Sequence, residues 1–319
     1  LKRSYDFEEL GRRYGFDPRQ VEKVCRISDF LEDLSRVPFL RDRLCLYGGT
    51  ALSFVFFDEV FRLSVDVDFN YRHLDSEDWG RVRERVDDGI KRLLYSQGYV
   101  ESDLAISASY PLGRITVQYR NLRGLRDGFE VEIGYMRRTP ILHGDSIGMF
   151  RHIGSGESFS VKTPVREELF ANKWCTLLYR GSSRDLFDIF QISKAEVDRE
   201  VFRKCAVVDS LMRGYPRLYE VDVDKVVRAI SIDTGLRNLL QIDKARRYDF
   251  TLIREEVLSF STEILKELTF EEKETMRKFF EEHTFDPTFI DDKGILNEGI
   301  QAHPMIQRTL ELLKREDPM

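Results

Sequence analysis

The sequence lacks most of the features that would assign it to a specialised class. Its four cysteines, Cys25, Cys45, Cys175 and Cys205, lie far apart, and its five histidines are scattered. Neither type falls into a finger or cluster spacing, which argues against a disulfide framework and a zinc site and leaves isolated thiols of a reducing compartment. No run approaches the roughly 18 apolar residues of a membrane helix. The first ten residues, LKRSYDFEEL, carry no apolar signal-peptide core. The expected location is therefore the cytoplasm, with no membrane partner. There is no internal repeat and no low-complexity stretch. Positive charge is not in excess either. Fifty basic residues face 56 acidic ones, a net charge of −6, which argues against coating nucleic acid through a global basic field. A local basic run remains in Arg114, Arg120, Arg123, Arg126, Arg137 and Arg138, readable as a binding patch or as a solvated surface.

What is present is ordinary globular material. With 319 residues, 42% hydrophobic and 33% charged, the chain has enough apolar matter for two domains. Residues 5–36 read as one or two helices, with Val21, Val24, Ile27, Phe30 and Leu31 on an apolar stripe. Residues 44–47 form a short apolar run that meets Gly48-Gly49, and residues 51–57 read as helical. The alternation over 63–71 predicts a strand, and 76–97 an amphipathic helix capped by Ser76. Strands are expected over 106–110, 114–120 and 129–136, with one more inside 150–162. Thr163-Pro164 is expected to open a helix running to about Tyr179, with Thr163 as cap and Pro164 in the first turn. Gly181-Ser182-Ser183 breaks the chain, and a second helix starts near Arg184. From about residue 196 the apolar spacing is helical throughout. The expectation is an α+β domain over 1–195 and a helical domain over 196–319.

The chemistry begins at Arg62-Leu63-Ser64-Val65-Asp66-Val67-Asp68-Phe69. On a strand Asp66 and Asp68 share one face, while Val65, Val67 and Phe69 share the other. Two neighbouring carboxylates repel each other and are poor strand formers, so a divalent cation between them gives the arrangement a reason. Upstream, Gly48-Gly49-Thr50 precedes a helix. Backbone N–H groups at such a start, approached through glycines, suit a phosphate, and Thr50 or Ser53 would add a hydroxyl. In Phe129-Glu130-Val131-Glu132-Ile133, Glu130 and Glu132 share a face, and either would complete the metal site or act as general base. Lys173 lies four residues from both Leu169 and Leu177, inside an apolar stripe. A triphosphate would be a natural partner, although a snorkelling side chain fits too. Asp185 suits the positive end of the next helix. Asp188 either pairs with Arg184, orients Lys173 or meets the nucleotide.

Together these segments resemble the AbiEii/AbiGii-type toxins, within the DNA polymerase β-like nucleotidyltransferase superfamily. The residues that carry the resemblance are Gly48-Gly49-Thr50-Ala51-Leu52-Ser53, then Arg62 through Phe69, Glu132 in Val131-Glu132-Ile133-Gly134-Tyr135, Glu167 through Lys173, and Arg184-Asp185-Leu186-Phe187-Asp188. The resemblance implies a polymerase β-like mixed sheet flanked by helices, followed by a C-terminal helical bundle. It implies transfer of a nucleoside monophosphate from an NTP, with Mg²⁺ (or Mn²⁺), to an acceptor hydroxyl of RNA at the tRNA 3′ end, and an antitoxin protein as partner. Asp66, Asp68 and Glu132 would hold the metal. Asp66, Asp68, Lys173 and Asp188 would be catalytic. Gly48, Gly49, Thr50, Ser53, Arg62, Ser64 and Asp185 would line the substrate. One departure is a longer gap between the glycine pair and Asp66, where residues 54–61 would reshape the base pocket. A small-molecule nucleotidyltransferase and a non-catalytic nucleotide-binding module are the rival readings.

Overall fold

The structure is a computed structural model that describes residues 3–74, 78–109 and 111–316. It divides into two compact units. Residues 1–138, 145–164 and 237–247 form the first, and residues 139–144, 165–236 and 248–319 the second. This differs from the expected division at 195. Residues 165–195 belong to the second unit because their helices pack on helices that follow them, and 237–247 return to the first.

The first unit starts with helices α1 (Phe7–Tyr14) and α2 (Pro18–Ser35) and a helical turn α3 (Pro38–Arg41). Asp6 and Asp17 cap α1 and α2 through their side chains, with Pro18 in the first turn of α2. The chain continues with β1 (Leu44–Tyr47), α4 (Gly48–Ala51), a π-helical turn over Leu52–Phe56, β2 (Val67–Tyr71), α5 (Trp79–Ser96), β3 (Leu104–Ser109), β4 (Leu112–Arg120) and β5 (Arg126–Gly134). These strands make one mixed sheet in the order β1-β2-β5-β4-β3, parallel only where β2 meets β5. β6 (Ser146–Arg151) and β7 (Ser158–Thr163) form a separate antiparallel hairpin.

Alternation decides which side of the sheet is core. On β4 and β5, Ile115, Val117, Phe129, Val131 and Ile133 are buried, while Arg114, Thr116, Glu130 and Glu132 point to the more open face. α2 covers apolar surface but also buries acids, each with a fold-building partner. Glu22 pairs with Arg26 at 2.8 Å and accepts the Leu122 N–H at 2.6 Å. Asp33 accepts from Gln97 Nε2 at 3.0 Å.

Several local expectations need correction. The strand expected from Leu63 begins only at Val67, because the Leu63 N–H donates to the Leu239 carbonyl at 2.8 Å and leaves the ladder. Asp78, not Ser76, caps α5 among the described residues; Ser76 lies outside them, as does Tyr110. The single strand sought in 150–162 is a hairpin of two. Thr163 pairs with Ser146 at the end of β7 and caps no helix. The following helix, α6, starts only at Arg166.

The second unit is helical. α6 (Arg166–Arg180) ends on Gly181, whose φ of 60° is a left-handed cap, and α7 (Ser183–Ile192) follows from Ser182. α8 (Arg199–Arg213) packs against α6. Then come α9 (Val223–Ala229), the turns α10 (Thr234–Arg237) and α11 (Ile242–Ala245), α12 (Phe250–Lys266), α13 (Phe270–Glu281) and α14 (Pro304–Glu316). α11 lies within the segment that returns to the first unit. Trp174, fully buried on α6, donates to Ser261 of α12 at 3.0 Å. No described helix is long and apolar enough to cross a membrane.

Candidate active site

Strand register assembles the acidic site in the first unit. Tyr47 lies across from Asp68, Asp68 across from Glu132, and Glu132 across from Arg114. Residues in register on adjacent strands share a face, so Asp68, Glu132 and Arg114 form one row across the sheet. Asp68 and Glu132 are half-buried, and Val67, Phe69, Val131 and Ile133 beneath them are buried. The register also separates the two candidate glutamates. Glu132 is beside Asp68, whereas Glu130 is one pleat further along, opposite Thr116.

Asp66 sits in the bend just before β2. Its carbonyl accepts the Thr50 hydroxyl. It borders a surface cavity of about 510 Å³ whose walls include Thr116, Gln118, Arg126 and Glu130. Thr116, Gln118 and Glu130 alternate with buried residues on their strands and so lie on the Glu132 face, which puts Asp66 on the same side as Asp68.

The glycine pair closes against these acids. Gly48 has φ +70°, and a Cβ there would lie 1.9 Å from Asp68 Oδ2. A Cβ on Gly49 would lie 2.8 Å from an Arg62 guanidinium nitrogen and 2.9 Å from Ser64 Oγ. Any larger residue would fill the space that lets the turn approach Asp68, Arg62 and Ser64. Arg62 is 3% exposed, and its Nη1 donates to the Leu63 carbonyl at 2.9 Å. Ser53 is fully buried, and its hydroxyl has no hydrogen-bond partner. Thr50 is likewise buried, so neither hydroxyl expected to meet phosphate is open to solvent in this state. The donor set fits a small hard cation: carboxylate oxygens from adjacent strands, against a glycine cradle that a side chain would occupy.

The second unit holds the other group of expected residues. Lys173 Nζ lies 3.0 Å from Asp188 Oδ2 across the α6–α7 turn, with the two side chains 8% and 0% exposed. Asp188 thus meets Lys173. Asp185 is equally buried and accepts two bonds from Arg180, at 2.7 and 2.8 Å, and the Ser182 hydroxyl at 2.5 Å. Its carboxylate holds the turn together.

Sequence reasoning passed over two features. Arg114 appeared there only as one member of a basic run, yet its Nη2 is 2.5 Å from Glu132 Oε1 and its Nε 3.6 Å from Glu130 Oε2. Its signal is the antiparallel register, which a single sequence does not display. The second feature is a cluster. Among the described residues, Asp29, Glu32 and His152 bring potential ligand atoms within 4.8 Å of one another. The chemistry there disfavours an ion. His152 Nδ1 accepts the N–H groups of Gly154 and Ser155 at 3.1 and 3.3 Å, which leaves the proton on Nε2, facing Asp29 at 3.1 Å. Arg3, at 2.9 Å, and Arg36 both hold Glu32. The cluster ties Tyr5, α2 and the end of β6 together.

No curated protein matches the sequence. The structure resembles that of MenT4, a nucleotidyltransferase toxin from Mycobacterium tuberculosis, at TM-score 0.62 and 16% identity, over 97% of this chain and 99% of that one. An antigenic nucleotidyltransferase-like protein from Paracoccidioides brasiliensis aligns at TM-score 0.36 and 16% identity, over 69% and 97% of the two chains, too low a score to add weight. The family described as nucleotidyl transferase AbiEii toxin, type IV toxin–antitoxin system, matches residues 29–291. With its fold shared by a nucleotidyltransferase toxin and its sequence matched over most of its length, the chain belongs to the AbiEii nucleotidyltransferase toxin family.

Proposed function

We propose that the chain moves a nucleoside monophosphate from an NTP to an RNA hydroxyl, the tRNA 3′ end, in a divalent-ion-dependent reaction. The observation that carries this reading is the row Asp68–Glu132 set against the Gly48 cradle. Family membership implies a nucleotide substrate and an antitoxin partner; the RNA acceptor and the ion are our reading.

Asp66, Asp68 and Glu132 would hold Mg²⁺ or Mn²⁺. When bound, the ion supplies charge neutralisation for the phosphates and acidifies the attacking hydroxyl. The protein's own part is positioning and fixed charge. Gly48 and Gly49 allow the backbone close to a phosphate, and Arg62 and Ser64 flank the same space. Thr50 acts indirectly, by tying down the backbone of Asp66. Lys173, oriented by Asp188 at 3.0 Å, would offer a point charge of the kind a triphosphate takes. Asp185 acts through Arg180 and Ser182 by fixing the turn between the two helices.

The test is incubation of the purified chain with α-labelled NTPs, Mg²⁺ or Mn²⁺, and total tRNA. Label should appear on RNA and vanish with Asp68→Asn. Label on a small acceptor but not on RNA would favour the small-molecule rival. Nucleotide binding without turnover on any acceptor would favour the non-catalytic module.

A further inference from the structure

Glu132 lies in a row with an acid on one side and a base on the other. Asp68 is its register partner on β2, and Arg114 its register partner on β4. Asp66 belongs to the same electrostatic group. The Arg114 guanidinium is held more firmly charged first by Glu132, then by Glu130, with Asp66 contributing. With Nη2 2.5 Å from Glu132 and Nε 3.6 Å from Glu130, Arg114 is a positive charge that offsets repulsion at the Glu132 end of this acidic group. Its side chain is 44% exposed, so its contact with Glu132 is one that water and other ions can exchange.

A divalent ion gripped by Asp68 and Glu132 would compete for the oxygen that Arg114 holds and would add like charge beside the guanidinium. Mg²⁺ is strongly hydrated and gains little from one or two carboxylates unless phosphates complete its shell. A nucleotide changes both sides of this exchange. Its phosphates supply the missing oxygens, and they offer the displaced guanidinium a bidentate partner in place of Glu132. We propose that Arg114 is a placeholder cation that keeps the acidic site closed to free divalent ions and yields Glu132 when ion and NTP arrive together. This rests on the metal-site reading given above and adds to it a positioning residue and an order of binding.

Calorimetric titration of the full chain with Mn²⁺, with and without a non-hydrolysable NTP analogue, tests it. Arg114→Gln should bind Mn²⁺ alone about 10-fold or more tightly than the wild type, a gain of about 1.4 kcal/mol. Arg114→Lys, which keeps the charge, should stay near the wild type. The analogue should raise Mn²⁺ affinity more in the wild type than in Arg114→Gln, since there is no placeholder to displace in the variant. Unchanged or weaker Mn²⁺ binding by Arg114→Gln, with binding still abolished by Asp68→Asn, would overturn the placeholder role alone. Absence of Mn²⁺ binding in every protein even with the analogue, or binding indifferent to Asp68→Asn, would overturn the metal-site reading and this one with it.

Discussion

The two units carry acid–base pairs of opposite character. In the helical unit, Lys173 and Asp188 meet at 3.0 Å with almost no exposure. In the sheet unit, Arg114 and Glu132 meet at 2.5 Å with the two side chains 44% and 25% exposed. A buried pair has given up its hydration, so either partner left alone is a severe cost. An exposed pair keeps most of its hydration and changes partners cheaply. The same motif set therefore combines a fixed charge with an exchangeable one. The first would suit the fixed position proposed for Lys173, the second the ion-binding role proposed for Glu132.

The largest expected effect comes from breaking the fixed pair. Asp188→Ala should cost about 3–5 kcal/mol in urea unfolding, because Lys173 is left buried and uncompensated. The double replacement Lys173→Met with Asp188→Leu should recover much of that loss. A double variant as unstable as the single one would show that the pair is not what holds α6 against α7. Transfer should be lost in both, which separates the pair's chemical role from its structural one.

Next in size is Asp68→Asn. It should lower transfer by about 10²–10³-fold or more while the unfolding midpoint holds or rises slightly, since one of several repelling carboxylates is gone. A large drop in stability would mean that Asp68 is a packing residue and would remove the contrast between the units. A smaller effect is expected at His152. It is buried and hydrogen-bonded to Asp29, which also accepts from Tyr5 at 2.7 Å and keeps one buried oxygen without a partner. His152→Ala should cost about 1–3 kcal/mol of stability and leave Mn²⁺ affinity and the NTP dependence of transfer unchanged. Loss of Mn²⁺ binding instead would make this cluster the metal site.

How much of this could be read from the sequence depends on how local the determining contact is. Asp66, read onto the same strand as Asp68, lies in the bend before it, whereas Asp68 was legible because its alternation with Val67 and Phe69 needs no partner strand. The Gly48-Gly49 turn was legible for the same reason. Spacing alone left Glu130 and Glu132 both open, and only the family resemblance singled out Glu132, because the neighbour of Asp68 depends on the parallel register of β2 and β5. Arg114 was hidden by the same non-local fact on β4. Thr163 misled because a Thr-Pro pair is a good helix opener locally, and only its pairing with Ser146 keeps it in a strand. Of the hairpin Ser146–Thr163 only one strand was expected, and β6 was missed since its apolar Ile147 and Met149 lie on the exposed face. The division between the units was missed because helix packing of α6 on α8 joins segments that composition does not.

The smallest expected effect sharpens the comparison most. Arg114→Gln should leave the unfolding midpoint within error, because both partners of its pair keep access to water. The consequence of the loss should appear elsewhere. With the guanidinium removed, Glu132 loses the charge that holds it, and added Mn²⁺ or Mg²⁺ should raise the melting temperature of this variant more than that of the wild type. Asp188→Ala should show the reverse, with a large loss of stability that added divalent ion does not preferentially repair. If Arg114→Gln were as destabilised as Asp188→Ala, and divalent ion gave no rescue, the exposed pair would be structural after all, and the distinction between a fixed and an exchangeable charge would fail.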